Sequence, residues 1–223
     1  MGTAHARRAR VIKTGLLGGS FNPAHRGHRA ISARAIDALG LDEMWWLVSP
    51  GNPLKPEEGM APLAARFASA RRAARGLRIR VTAIEREFGS PYSADTLQAL
   101  VRRFPNRRFV WIMGEDNLAQ FHRWRHWRRI AATVPIAVVS RPGYDGPARA
   151  ARAMGWLRRF VRPAAGVWDW NDWRPPALVF LSLPPDPTSA TGLRAALPRW
   201  HETPHHSFNL KALRDGVTRR PIG

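Results

Sequence analysis

Apolar residues recur along this chain in two rhythms. Short apolar runs stand at residues 14–18 (TGLLG), 44–49 (MWWLVS), 77–84 (LRIRVTAI), 108–114 (RFVWIMG), 136–140 (IAVVS) and 177–183 (ALVFLSL). Each has the length and composition of a β-strand. Between them, residues 27–39, 62–75, 93–104, 118–132 and 148–160 carry apolar side chains at the spacing of an amphipathic helix. Strand, helix and strand repeated this regularly predict parallel strands joined by crossover helices, hence an α/β, doubly wound parallel sheet. No internal repeat, low-complexity tract or clear linker interrupts the pattern. The 223 residues are therefore expected to form one domain, 1–223, with frayed basic tails at about 1–12 and 214–223.

In such sheets ligands bind beyond the carboxyl ends of the strands, where the chain turns into the next helix. Those turns are where candidate chemistry is to be sought. Two other stretches are irregular. PGNPLKPEEG (50–59) is rich in Pro and Gly, which fits a mobile cover over a site as well as a plain surface loop. Residues 162–176 carry Trp168, Trp170 and Trp173 without a clear period.

Composition changes this picture in three places. Thirty-six basic residues face 16 acidic ones, for a net charge of +20, and only Lys13, Lys55 and Lys211 among them are lysine. Such a charge admits a polyanion partner. The arginines are nevertheless dispersed along helical patterns and tails, as on a solvated surface, and no specific nucleic-acid partner is expected. The absence of cysteine removes disulfides, thiol catalysis and Cys-bearing zinc sites. The basic start, MGTAHARRAR, is not followed by an apolar run long enough for a signal peptide, and no stretch reaches membrane-spanning length, so a soluble cytoplasmic protein is expected.

The first strand runs into GGSFNPAHRGH (18–28). Gly18 and Gly19 lack a Cβ, which lets a phosphate approach the backbone, and a helix opening near His25 points N–H groups at the same space. His25 and His28 are three apart, so on a helical first turn their rings project to one side, where two imidazoles can donate to phosphate oxygens. The plainer alternative has one histidine capping the helix and the other packed. Neither the dinucleotide fingerprint nor the Walker loop is present. Near the other end, TSATGLR (188–194) follows the last strand. Ser189 and Thr191 offer hydroxyls at a helix start, and Arg194, a turn later, offers a planar fork for phosphate, although a capped helix with an exposed arginine reads equally well.

Together these two segments resemble the paired signatures of the nucleotidylyltransferase superfamily. GGSFNPAHRGH is similar to G-x-F-D-P-x-H-x-G-H, with Asn22 in place of the usual Asp, and TSATGLR is similar to [IT]-S-[ST]-T-x-x-R. From Gly15 to about Leu197 the chain resembles one branch, the bacterial nicotinate-nucleotide adenylyltransferases. WWLVSPGNPLK looks like that branch's second strand with its loop lysine, Lys55. SPYSADTL is similar to its S-Y-T-x-D-T-L segment, with Ser93 replacing Thr and Pro91 inserted before the Tyr. WIMGEDNLAQFHRWRHW resembles its G-x-D-x-L-x-x-F-x-x-W-x-x-W run, and VVSRPGY, holding Arg141, its R-x-G ending.

The resemblance implies a Rossmann-like nucleotidylyltransferase fold and transfer of an adenylyl group from ATP to nicotinate mononucleotide, giving deamido-NAD and pyrophosphate, with Mg²⁺ bound through phosphates rather than by the protein. It implies His25, His28 and Arg194 as catalytic residues. It places Gly18, Gly19, Ser20, Phe21, Gly114, Asp116, Ser189 and Thr191, with His28 and Arg194, around ATP. Lys55, Ser93, Asp95, Thr96, Trp124 and Arg141 are then expected around the mononucleotide. On the residues alone, Asp116 either accepts from a ribose hydroxyl or meets a helix dipole, and Trp124 with Trp127 reads as a pair sharing one helix face. His122 and His126 stand at i, i+4, but no third ligand is evident and zinc is not expected. Other readings are a pantetheine-phosphate adenylyltransferase, a cytidylyltransferase, or a basic nucleic-acid-binding protein without catalysis. Direct attack on the α-phosphorus, without a covalent intermediate, is the mechanism these turns suggest.

Overall fold

Six strands form one sheet in the order β3-β2-β1-β4-β5-β6, every neighbouring pair parallel. They are β1 (Ile12–Gly19), β2 (Glu43–Val48), β3 (Ile79–Thr82), β4 (Arg107–Gly114), β5 (Ile136–Ser140) and β6 (Leu178–Ser182). The computed structural model describes residues 10–51, 59–140, 149–182, 188–202 and 213–222. The strand order reverses between β1 and β4, the switch point of a doubly wound sheet, and this agrees with the fold class expected from the apolar pattern.

The central parts of the strands are apolar because both faces are covered. Along β2, Met44, Trp46 and Val48 enter one core while Trp45 and Leu47 enter the other. Along β4, Val110 and Ile112 alternate in the same way with Phe109, Trp111 and Met113. The first core is closed by α1 (Arg26–Leu39) and α2 (Leu63–Ala73), the second by α3 (Ser93–Arg103), α4 (Glu115–Gln120), α5 (Trp127–Thr133) and the short α6 (Met154–Leu157). A last helix, α7 (Ala190–Ala196), follows β6.

Three expectations are corrected. The helix expected at 118–132 is broken: α4 ends at Gln120, a 3₁₀ turn covers Phe121–Arg123, Trp124 is extended, and His126 has φ +56° before α5 begins. The break separates the two tryptophans, which no longer share a face. Trp127 turns to Trp156, with ring centroids 5.5 Å apart, while Trp124 meets Trp111 at 6.3 Å. Within the helix expected at 148–160, residues 150–160 form only α6 and a 3₁₀ turn, Arg158–Phe160.

The C-terminal segment is docked rather than frayed. Asp215, 2% exposed, accepts from the Thr82 hydroxyl at 3.0 Å and the Ala83 amide at 2.7 Å, and from the amides of Val217 and Thr218 at 2.8 and 2.9 Å. Gly216 donates to Val81 at 2.8 Å, and a Cβ on it would meet that carbonyl at 2.6 Å, so only glycine lets the backbone lie this close to edge strand β3. The tryptophan segment also has a place. Val167 and Trp170 enter the first core, Trp170 Nε1 donates to the Leu39 carbonyl at 2.8 Å, and Trp168 lies across Gly40 at the left-handed end of α1.

Candidate active site

A cavity of about 740 Å³ opens beyond the carboxyl ends of β1, β2 and β4, at the switch point. It gathers Gly18, Gly19, Ser20, Phe21, His25, His28, Ser93, Gly114, Asp116, Trp124, Ser189 and Thr191 from the sequence-predicted set. Lys55 and Arg141, and most of the 50–59 loop, lie outside the described residues.

The two histidines are held by the helix they open. His25 is the N-cap of α1, and its Nδ1 accepts the Gly27 amide at 3.1 Å. The His25 amide donates in turn to Nδ1 of His28 at 3.2 Å, a reciprocal capping box built from two imidazoles. The alternative readings of this pair are therefore joined, because capping is what orients the rings. An Nδ1 that accepts an N–H holds no proton when the ring is neutral, so in both rings the proton sits on Nε2. The ring centroids are 4.0 Å apart, and Phe21, at 4.7 Å from His28 and stacked on Trp46 at 5.0 Å, backs the second ring. Phe21 itself has φ +49°.

Gly18 lines the cavity and also has a packing role. A Cβ there would meet Trp111 Cη2 at 2.5 Å, so the missing side chain makes room for an indole in the cavity wall. At Gly19 a Cβ would lie 3.4 Å from Phe21, ordinary contact.

In TSATGLR the cap forms where the pattern places it. Ser189 caps α7, accepting the Gly192 amide at 3.1 Å, and Thr191 lines the cavity. Arg194 is not among the residues bounding the cavity. Its guanidinium donates to the Asn22 carbonyl at 2.6 Å and to the Thr191 hydroxyl at 3.4 Å. Asn22 is buried and fully engaged. Its amide donates to the Gly59 carbonyl at 2.9 Å, while Oδ1 accepts from Ala61 and Trp200, each at 3.3 Å. An aspartate could not make the first of these bonds.

The SPYSADTL segment is only partly in the site. At the start of helix α3, Tyr92 is the N-cap, without a side-chain bond, and Ser93 is the first helical residue. The Tyr92 carbonyl takes the amides of Asp95 and Thr96, so the amides of Ser93 and Ala94 have no intrahelical acceptor. Asp95 and Thr96 do not line the cavity. Asp95 binds the Ser90 hydroxyl at 2.6 Å and forms an ion pair with Arg129, and the Ser90 bond is the chief reason its carboxyl lies below the usual range. Thr96 is buried in the helix-to-core contact.

Several residues come to the site without a sequence signal. Arg66 of α2 is 2% exposed and donates to the carbonyls of Ser20, Ser49 and Ala61 at 2.8 Å each, and to Pro50 at 3.3 Å, gathering the turns after β1 and β2. Burial lowers its pKa. Arg125 lies 4.6 Å over the Tyr92 ring, and Glu85, from a 3₁₀ turn after β3, is in the wall. A charged residue in an otherwise polar run reads as solvent-exposed, which hides both Arg66 and Glu85.

The site can be set beside known proteins. A family profile described as Cytidylyltransferase-like matches residues 16–196. A protein of Erythrobacter litoralis named "Probable nicotinate-nucleotide adenylyltransferase" is 56% identical over 212 residues, covering 95% of each chain. A protein of the same name from Gluconobacter oxydans is 50% identical over 183 residues, 82% of this chain and 94% of the relative. Among solved structures, the Plasmodium falciparum nicotinic acid mononucleotide adenylyltransferase complexed with NaAD superposes with a TM-score of 0.61 at 14% identity, covering 82% of this chain and 83% of the other. At that identity the likeness speaks for the fold.

Proposed function

The chain belongs to the cytidylyltransferase-like family and, within it, to the nicotinate-nucleotide adenylyltransferases, and from that premise we propose how its residues divide the work. The reaction is transfer of the adenylyl group of ATP to nicotinate mononucleotide, yielding deamido-NAD and pyrophosphate. The observation that carries the reading of the site is the imidazole capping box, which aims two phosphate donors from one helix start at a cavity shared with TSATGLR.

A phosphate oxygen of the mononucleotide attacks the α-phosphorus of ATP. The new P–O bond forms as the bond to the β-phosphate bridge breaks, and pyrophosphate leaves. The protein supplies position and charge, not a covalent nucleophile. Nε2–H groups of His25 and His28 donate to the oxygens on which charge grows. The hydroxyls of Ser189 and Thr191 meet the departing phosphates. Arg194 spends two contacts on Asn22 and Thr191, and a guanidinium with five N–H donors retains others for phosphate. Asp116, exposed at the start of α4, suits a ribose hydroxyl.

The start of α3, where Ser93 lines the cavity and its amide has no intrahelical acceptor, is the candidate seat for the nicotinate carboxylate, with Trp124 against the pyridine ring. Lys55 and Arg141 remain proposed contacts of the mononucleotide by resemblance. We also propose Mg²⁺ as the companion of ATP. Such an ion would be carried chiefly on the substrate phosphates. The net charge of +20 would speed the encounter of two anionic substrates. No described helix is long and apolar enough to cross a membrane, and we propose a cytoplasmic enzyme.

Pyrophosphate release with ATP and a panel of acceptors tests the activity. Release is expected with nicotinate mononucleotide, together with a product of the mass of deamido-NAD. Release with a pantetheine phosphate or a CTP-dependent acceptor instead would overturn it.

A further inference from the structure

A second cavity, of about 570 Å³, lies where the Phe121–Arg123 turn and the start of α5 meet α6. Arg128, Arg152 and Arg159 converge on it together with Trp127, Trp156 and His122, and among the described residues no carboxylate lines it. None of the three arginines forms an ion pair among the described residues. Arginine is abundant in a chain of net charge +20, so number alone says little, but two of these three are held in place. The Arg128 guanidinium lies 4.6 Å over the Trp127 ring and 5.8 Å from that of Trp156, two indoles that meet edge to face at 5.5 Å. Arg159 Nε donates to the Trp156 carbonyl at 3.2 Å, which spends one of its five N–H donors and anchors the rest. His122 adds a buried Nδ1 that has no hydrogen-bond partner among the described residues.

We propose that this cleft is a second ligand site, separate from the main cavity, and that its ligand is a phosphate oxyanion. Planar guanidiniums match phosphate oxygens with paired N–H bonds, and those already stacked or anchored lose less freedom on binding. Three cations gathered without a counter-charge repel one another, and an anion among them relieves that repulsion. The inference does not depend on the reaction assigned to the main cavity. One short segment borders both: Arg123, Trp124 and Arg125 line the main cavity, while His122 and Trp127 line the cleft. Changes confined to α6 and the turn after it therefore leave the residues of the main cavity in place.

Gly155 of α6 supplies the sharpest variant. It lines the cleft, and a Cβ on it would meet nothing within 4 Å. Gly155→Glu puts a carboxylate beside the guanidiniums with no Cβ clash, at a helical position where glutamate is preferred to glycine.

The test is isothermal titration calorimetry with pyrophosphate at about 0.15 M salt, where loose attraction to a basic surface is screened. The wild type is expected to bind one more pyrophosphate per chain than Gly155→Glu. Gly155→Ala, which adds no charge, should keep the additional site. Arg159→Ser should weaken it by about 10–100-fold, the effect of losing a charged hydrogen bond. Equal numbers and affinities of sites in the wild type, Gly155→Glu and Arg159→Ser, each shown folded by circular dichroism, would overturn the proposal. So would an additional site that is seen at low salt and lost at about 0.15 M. Titrations with inorganic phosphate and with AMP separate the sources of the anion. Tighter binding of AMP at the additional site assigns it to the phosphate of a nucleotide, and binding no tighter than that of inorganic phosphate assigns it to the free anion.

Discussion

Arg194 donates to the main-chain carbonyl of Asn22 at 2.6 Å, joining the two signature segments from opposite ends of the chain. The turn that leads into the histidines is thus braced by the residue that follows the Ser189 cap. Arg194→Lys can keep one such bond but not the fork that also reaches Thr191. A lost charged hydrogen bond of about 1.5–3 kcal/mol corresponds to about 10–100-fold. The variant is expected to lose that much in kcat/KM for ATP while the mononucleotide KM stays near wild type. A change in the mononucleotide KM alone would contradict this placement.

His28 belongs to the cap, and the proposed function gives it a part in the chemistry as well. Replacing it by alanine removes the acceptor for the His25 amide, a capping loss of about 0.5–2 kcal/mol, which the fold should survive. If its Nε2–H meets growing charge on phosphate, kcat falls by about 10²–10³. Circular dichroism checks the fold and pyrophosphate release checks the rate. Near-normal turnover in a folded His28→Ala protein is the contrary result.

Glu85 also makes a prediction about stability. Its folded pKa, about 7, is raised above the unfolded carboxyl value of about 4.3, so its contribution is fully present below pH 4 and is lost as pH rises through 7. Glu85→Gln escapes that loss. Its urea midpoint should move up relative to wild type between pH 4.5 and 8, by an amount on the order of 3 kcal/mol, and then level off. A constant gap between the two proteins across this range would show that the carboxyl does not hold its proton on folding.

Asp215 anchors the C-terminal segment through four hydrogen bonds. Asp215→Ala strands the Thr82 hydroxyl and the Ala83 amide in a buried place, at about 1–3 kcal/mol for each unsatisfied group. A total loss of about 3–5 kcal/mol is expected by urea denaturation. A loss below 1 kcal/mol would mean that the segment is not docked in solution.

The strands were legible because burial on both faces fills their central positions with apolar residues, as in MWWLVS and RFVWIMG. The two signature turns that meet at the cavity were legible because small, hydroxyl-bearing and imidazole side chains at fixed spacing have few other uses together. What local pattern could not show was set by tertiary contact. Trp124 and Trp127 diverge because both pack on Phe121, at 5.5 and 5.7 Å, from opposite sides of a left-handed residue. Ser93 looks like a cap, but the first turn is closed through the Tyr92 carbonyl and Ser90. In RDGVTRRPIG the flanking arginines conceal a buried aspartate. Glu85 and Arg66 are charged residues whose partners come from distant turns, so neither declares itself along the chain.

The most direct test of the central claim is kcat/KM for nicotinate mononucleotide against its amide, with ATP saturating and all other conditions shared. A carboxylate presents two acceptor oxygens to the Ser93 amide and the other donors at the start of α3, whereas a carboxamide turns an NH₂ donor towards a donor. Leaving one amide unpaired costs about 1–3 kcal/mol, while stacking on Trp124 serves either ring equally. The acid should be preferred by at least about tenfold. Equal values, or a preference for the amide, would contradict the assignment of nicotinate mononucleotide as the acceptor read at the start of α3.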